Sequence, residues 1–179
     1  MLDDYREPAK VVADILQSEM ELDAGHCLLG DQEWDLPSDR GLFAVVFDDA
    51  QHTIGTTTEM DQTGPLPAEV QKHASIHDIR IEIMSFDNSA RTRKVEVSMA
   101  LTSFFAQQKM EEYNCQISRP QAPTNATETE VTGRLHRYVI RVRVTCLQTK
   151  TKTSAQYFDK FNGAVVDATI NAPEVNINE

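Results

Sequence analysis

Two histidines, His73 and His77, stand four residues apart, the spacing that brings imidazoles together on one turn of a zinc-binding helix. The stretch that holds them runs into Ile79, Ile81 and Ile83, which alternate with Asp78, Arg80 and Glu82 as a half-buried strand does. On a strand the two rings would lie roughly 13 Å apart, so the pair predicts no metal site. Asp31, Glu33, Asp35 and Asp39 have the look of a calcium loop, yet Leu36 and Leu42 occupy the places where such a loop needs Gly and Glu. They read as a solvated acidic loop. Asp48, Asp49 and Glu82 could supply the carboxylates of a divalent-metal nuclease, but the residues after Glu82, Ile83-Met84-Ser85-Phe86, lack the accompanying lysine. The chain also lacks a glycine-rich phosphate loop and a Gly-x-Ser-x-Gly turn. The expectation is a protein without catalytic residues, cofactor or metal.

The constellation that stands out is cationic. Arg137, Arg141 and Arg143 alternate with Tyr138, Ile140, Val142 and Val144, so a strand there projects its arginines to one face, with Lys150 and Lys152 further along. Arg91, Arg93 and Lys94 form a second basic group. These eight residues are the candidate contacts with a neighbouring subunit; a solvated face and passing nucleic acid are the weaker readings in so acidic a protein.

The elements that must position these groups follow from periodicity. Residues 7–22 predict a helix, with Pro8 in its first turn, Val11, Val12, Ile15, Leu16 and Met20 on one side, and Gly25 to end it. Residues 23–41 read as an acidic loop. Phe43 to Phe47 predict a strand, Asp48 to His52 a turn, and Thr53 to Thr58 the second strand of a hairpin. Gly64-Pro65-Leu66-Pro67 breaks the chain before the isoleucine strand. Asp87-Asn88-Ser89 caps a helix of some 25 residues whose apolar positions, Val95 to Tyr113, spread wider than one stripe. Such a helix packs on the sheet and touches something else as well. Residues 118–133 form a long loop, Lys150 to Thr153 a turn region, and Ala155 to Phe158 a last strand or short helix.

At 179 residues, 40% of them apolar, the chain suits one α+β domain, with residues 1–162 as the domain and residues 163–179 as an extended C-terminal arm too polar to fold alone. The expected sheet is mixed or mostly antiparallel, backed by two main helices. The net charge of −11 is uneven: residues 1–88 hold 19 acids and 5 bases (net −14), residues 89–179 hold 9 and 12 (net +3). Were the halves separate in space, the molecule would show two faces of opposite sign, suited to head-to-tail contact between copies. Cys27, Cys115 and Cys146 have no motif spacing and read as small buried apolar residues in a reducing compartment. No apolar run is long enough to span a bilayer, and the N-terminus does not read as a secretion signal, so the protein is expected to stay in the cytosol.

Taken in order, helix, acidic loop, hairpin, isoleucine strand, helix after Asp-Asn-Ser and long basic strand resemble the neck and tail-terminator proteins of tailed bacteriophages. The stretch Asp78-Ile79-Arg80-Ile81-Glu82-Ile83-Met84-Ser85-Phe86-Asp87, entering a helix at Ser89, carries the resemblance best. The likeness covers residues 5–160 as a pattern of elements. It implies a small domain with a mixed or antiparallel sheet backed by helices, assembled as a homo-hexameric ring in the virion neck after synthesis in the host cytoplasm. The implied partners are the tail tube protein, the head-tail connector and, as a further neighbour, the tail sheath. DNA passes only through the lumen, and no membrane is involved. Another connector or a tail tube subunit is the alternative within that class.

Overall fold

The computed structural model describes residues 7–30, 41–61, 68–130 and 133–153. The expected acidic cluster Asp31 to Asp39, the Gly64 to Pro67 break, the Ala155 to Phe158 segment and the arm at 163–179 lie outside the described residues.

The first helix, α1 (Pro8–Glu19), buries Val11, Val12, Ile15 and Leu16. It ends earlier than Gly25, because Glu21 takes the left-handed conformation (φ 49°) and the Leu22 amide closes back on the Gln17 carbonyl (3.1 Å). Gly25, also left-handed (φ 84°), instead turns the chain into β1 (Cys27–Leu29), within the region expected to be loop.

Three long strands dominate: β2 (Phe43–Asp61), β3 (Ala68–Ser85) and β7 (Gly133–Thr153). The expected turn at Asp48 to His52 is absent. β2 runs straight through it, with register shifts between Asp48 and Ala50 and between Thr53 and Gly55 that absorb extra residues as bulges. Lys150 to Thr153, expected as a turn, continues β7 in register with Ala68 to Gln71. The sheet order is β1-β2-β3-β7-β4, with β4 (Cys115–Ile117) on β7; β1 and β2 are parallel and every other pairing is antiparallel. β5 (Thr124–Asn125) and β6 (Glu128–Glu130) also pair with β7, so the expected 118–133 loop is tethered to the sheet. The molecule is thus an α+β domain with a mixed, mostly antiparallel sheet backed by helices.

The second helix is three short ones, α2 (Ser89–Arg93), α3 (Glu96–Ala100) and α4 (Phe104–Glu112). Hydroxyl groups interrupt it. Thr92 bonds back to the carbonyls of Asn88 and Ser89, and Thr102 to those of Ser98 and Met99. Ser103 then accepts from the Ala106 amide (3.0 Å) and starts α4 afresh. At the entrance, Asp87 supplies the capping carboxylate, accepting from the Ser89 amide (2.7 Å).

The core lies between the helices and one face of the sheet: Ile15, Leu16, Ile79, Ile81, Ile83, Val97, Leu101, Ile140 and Val144 are all buried. The opposite face carries a smaller cluster of Phe43, Val45, Met84 and Leu135. Beyond Ala50 on β2, up to Ala74 on β3 and from Leu147 on β7 the three strands leave the core as an arm with no fully buried side chain among the described ones. At roughly 3.3 Å per residue, the stretch from Ala50 to Asp61 reaches about 40 Å.

Candidate interaction surface

Register assigns each polar side chain to a face. Because Ile79, Ile81 and Ile83 pair with Val142, Ile140 and Tyr138 toward the helices, Asp78, Arg80, Glu82, Arg137, Arg141 and Arg143 share the other face. There they form a ladder. Arg80 donates to Asp49 (2.9 Å) and to Glu82, and its guanidinium lies 3.9 Å above the Phe47 ring. Arg137 holds Glu82 from the other side (2.7 Å), and Arg143 holds Asp78 (3.1 Å). Glu82 is only 3% exposed, which an ionised carboxylate tolerates because two guanidinium groups flank it. Hydrogen bonding to Asp49 and the negative charges of Glu82 and Asp49 raise the Arg80 pKa against an opposing desolvation.

Arg141 sits directly opposite Arg80, a like-charge pair that the carboxylates beside Arg80 offset. With Arg143 and Arg119 it lines an open cleft of about 540 Å³ that Asp49 and Asp78 border. Arg141 and Arg143 are exposed. Three guanidinium groups against two carboxylates leave a cationic surplus, fitted to receive acidic side chains.

The other basic candidates do not join this face. Lys150 and Lys152 have the opposite parity on β7, so they lie on the helix side of the arm, facing Gln71 and Glu69 across the strands. The expected single stripe is therefore two patches on opposite faces. Arg93 is committed within the fold, to the Met20 carbonyl at the end of α1 (2.6 Å) and to Glu96 (2.7 Å). Arg91 and Lys94 line a second cleft of about 340 Å³ with His136 and Tyr138, where the Lys94 ammonium lies 4.4 Å from the Tyr138 ring. Sequence reading missed Arg80 and Arg119 as members of the surface. Arg80 was legible as part of a polar strand face; Arg119 carried no signal.

The carboxylates weighed for a metal do not converge: Asp48 turns to the helix side, whereas Asp49 and Glu82 flank Arg80 on the other face. His77 is buried with Nδ1 2.7 Å from Asp48 and Nε2 3.1 Å from the Ser75 hydroxyl. This Asp-His-Ser chain has the composition of a hydrolase triad, but Ser75 is 0% and His77 1% exposed, so no acyl group can reach the hydroxyl. It acts as a buried polar tie between β2 and β3 where the arm leaves the core. Among the described residues, no group of three or more His, Cys, Asp or Glu could hold a metal ion, and no helix is long and apolar enough to cross a membrane.

Large apolar side chains also face solvent on the broken helix: Val95, Met99 and Phe104 are 56%, 67% and 86% exposed. The expected use of the broad apolar positions over residues 95–113 is more core before a partner subunit, and these three side chains lie outside the core. No family model and no curated protein matches the chain.

Proposed function

We propose that this protein is a structural subunit of a closed homo-oligomeric ring, a tail-terminator or neck protein that caps the tail tube of a bacteriophage and joins it to the head connector. The observation that supports the reading is the arm. Three strands extend past the core, buried on neither face, and both outer edges of the arm, β2 and β7, have no strand partner among the described residues. A sheet of this kind gains little from its own chain and offers two rows of backbone donors and acceptors to neighbours.

The edges are unlike. The β2 edge bears Glu59 and Asp61 near its tip, the β7 edge Lys150 and Lys152. Glu59 and Asp61 lie on the arginine face of the arm, where Lys72 holds Glu59 (2.9 Å), and Lys150 and Lys152 lie on the helix face, so the backbone rows rather than these charges carry the contact; pairing unlike edges head to tail generates a ring when the rotation closes. The exposed Val95, Met99 and Phe104 offer a second contact, and the Arg119-Arg141-Arg143 cleft a receptor for acidic groups of the tube, the connector or a neighbouring copy. The action is mechanical: one ring face matches the tube end and the other presents no further tube-like surface.

The test is the native mass of the purified protein across salt concentrations. A discrete species near six subunits, loosening as salt rises, is the expected result. Open-ended polymers would reassign the protein to a tube subunit, and a monomer at all concentrations and salts would overturn a self-assembling ring.

A further inference from the structure

Cys115 on β4 and Cys146 on β7 stand directly opposite each other. The Leu147 amide donates to the Asn114 carbonyl (2.9 Å) and the Ser118 amide to the Arg143 carbonyl (2.8 Å), which makes the alternate pairs of this ladder the hydrogen-bonded ones. The cysteines thus occupy a non-hydrogen-bonded position, where Cα atoms approach to about 4.5 Å and side chains project to the same face. Disulfides join residues whose Cα atoms are about 4.4–6.8 Å apart, so a bridge here needs no rearrangement of the backbone.

The thiols already interact: hydrogen bonding to Cys146 lowers the pKa of Cys115, and the same contact together with burial raises that of Cys146. Cys115 is half-buried at the edge of the sheet and Cys146 is buried beneath it, which makes Cys115 the accessible partner. Cys27 is of another kind. It donates to the Ala13 carbonyl (3.3 Å), and burial, helped by the charge of Asp14, pushes its thiol up to about 12.

We propose that Cys115 and Cys146 are a redox-active cross-strand pair that a low-molecular-weight disulfide, such as oxidised glutathione, converts to a disulfide. The Cys115 thiolate attacks one sulfur of the oxidant and expels one thiolate, leaving a mixed disulfide on Cys115. Cys146 gives up its proton, attacks the Cys115 sulfur and expels the second thiolate. The protein loses two electrons and two protons, and the oxidant becomes two thiols. Cys146 is the last fully buried residue of β7 before the arm, and Cys115 follows α4 with only Tyr113 and Asn114 between, so the bridge fastens the end of the helical layer to the root of the arm. It also closes a loop that contains β5 and β6, restricting the unfolded chain.

The experiment incubates the folded protein with oxidised glutathione, unfolds it in denaturant to alkylate what remains free, and maps the product by mass spectrometry and peptide digestion. The expected result is that two of the three thiols become unreactive, a peptide links Cys115 to Cys146, Cys27 stays alkylated, and thermal unfolding shifts several degrees upward and returns on reduction. The Cys27→Ser variant should behave identically, and Cys115→Ser, checked for folding by circular dichroism, should form no bridge. A glutathione adduct that persists on Cys115, three thiols that all remain reactive, or a link that involves Cys27 would overturn the proposal. None of these outcomes depends on the oligomeric state.

Discussion

Glu82 concentrates the energetics of the arginine face in one side chain. Replacing it by Ala removes the carboxylate that Arg80 and Arg137 share, although Arg80 keeps Asp49 and the Phe47 ring, so Glu82→Ala should cost on the order of 1–3 kcal/mol and lower the urea midpoint accordingly. His77→Ala leaves the half-buried Asp48 and the buried Ser75 hydroxyl without their partner and should cost about 1–3 kcal/mol by the same measurement. The Asp87 carboxyl is held below its ordinary pKa by hydrogen bonds from the Ser89 amide and then from the Ser89 hydroxyl. A depressed folded-state pKa means that this contribution is fully present above the unfolded value near 3.8 and is lost as pH falls through the lower folded one. Asp87→Ala should therefore lower the midpoint at neutral pH, and the gap between variant and wild-type midpoints should close below pH 4.

Among the elements, the arm and the broken helix behave differently from the core that carries them. Residues 50–61, 68–74 and 147–153 carry no fully buried side chain among the described ones, so hydrogen exchange in the dispersed protein should run orders of magnitude faster there than in residues 79–84 and 138–144. Assembly by the arm edges should slow the exchange of the former set, and unchanged exchange in an assembled form would exclude the arm from the contact. The division of residues 89–112 into three helices has a local chemical cause in Thr92, Thr102 and Ser103, and those hydroxyls were present in the sequence as helix-compatible residues among strong apolar positions. Periodicity weighs the average over a long window. A hydroxyl that bonds backward or caps forward acts on one turn, which is why one long helix was the expectation and three are present.

For the whole molecule, the acidic and basic halves of the sequence meet in one sheet. β3, from the acidic half, lies between β2 and β7, and the carboxylates of Asp78 and Glu82 meet Arg143 and Arg137 from the basic half. Among the described residues the two halves thus share a sheet face, as a paired ladder with a local cationic surplus, instead of standing apart. Phe104→Asp, a change at an exposed position, should leave thermal stability within about 0.5 kcal/mol while weakening any native assembly; an unchanged native mass would remove that patch from the contact. Composition and alternation alone determined the α+β class, the isoleucine strand, the arginine strand and the first helix, because burial of a repeating apolar face needs only local spacing. Tertiary structure decided the rest. Whether Asp48 to His52 turns or bulges, whether β7 runs on through Lys150, and whether Cys115 meets Cys146 all depend on which strands lie side by side and in what register, and register is fixed by partners far away in the chain.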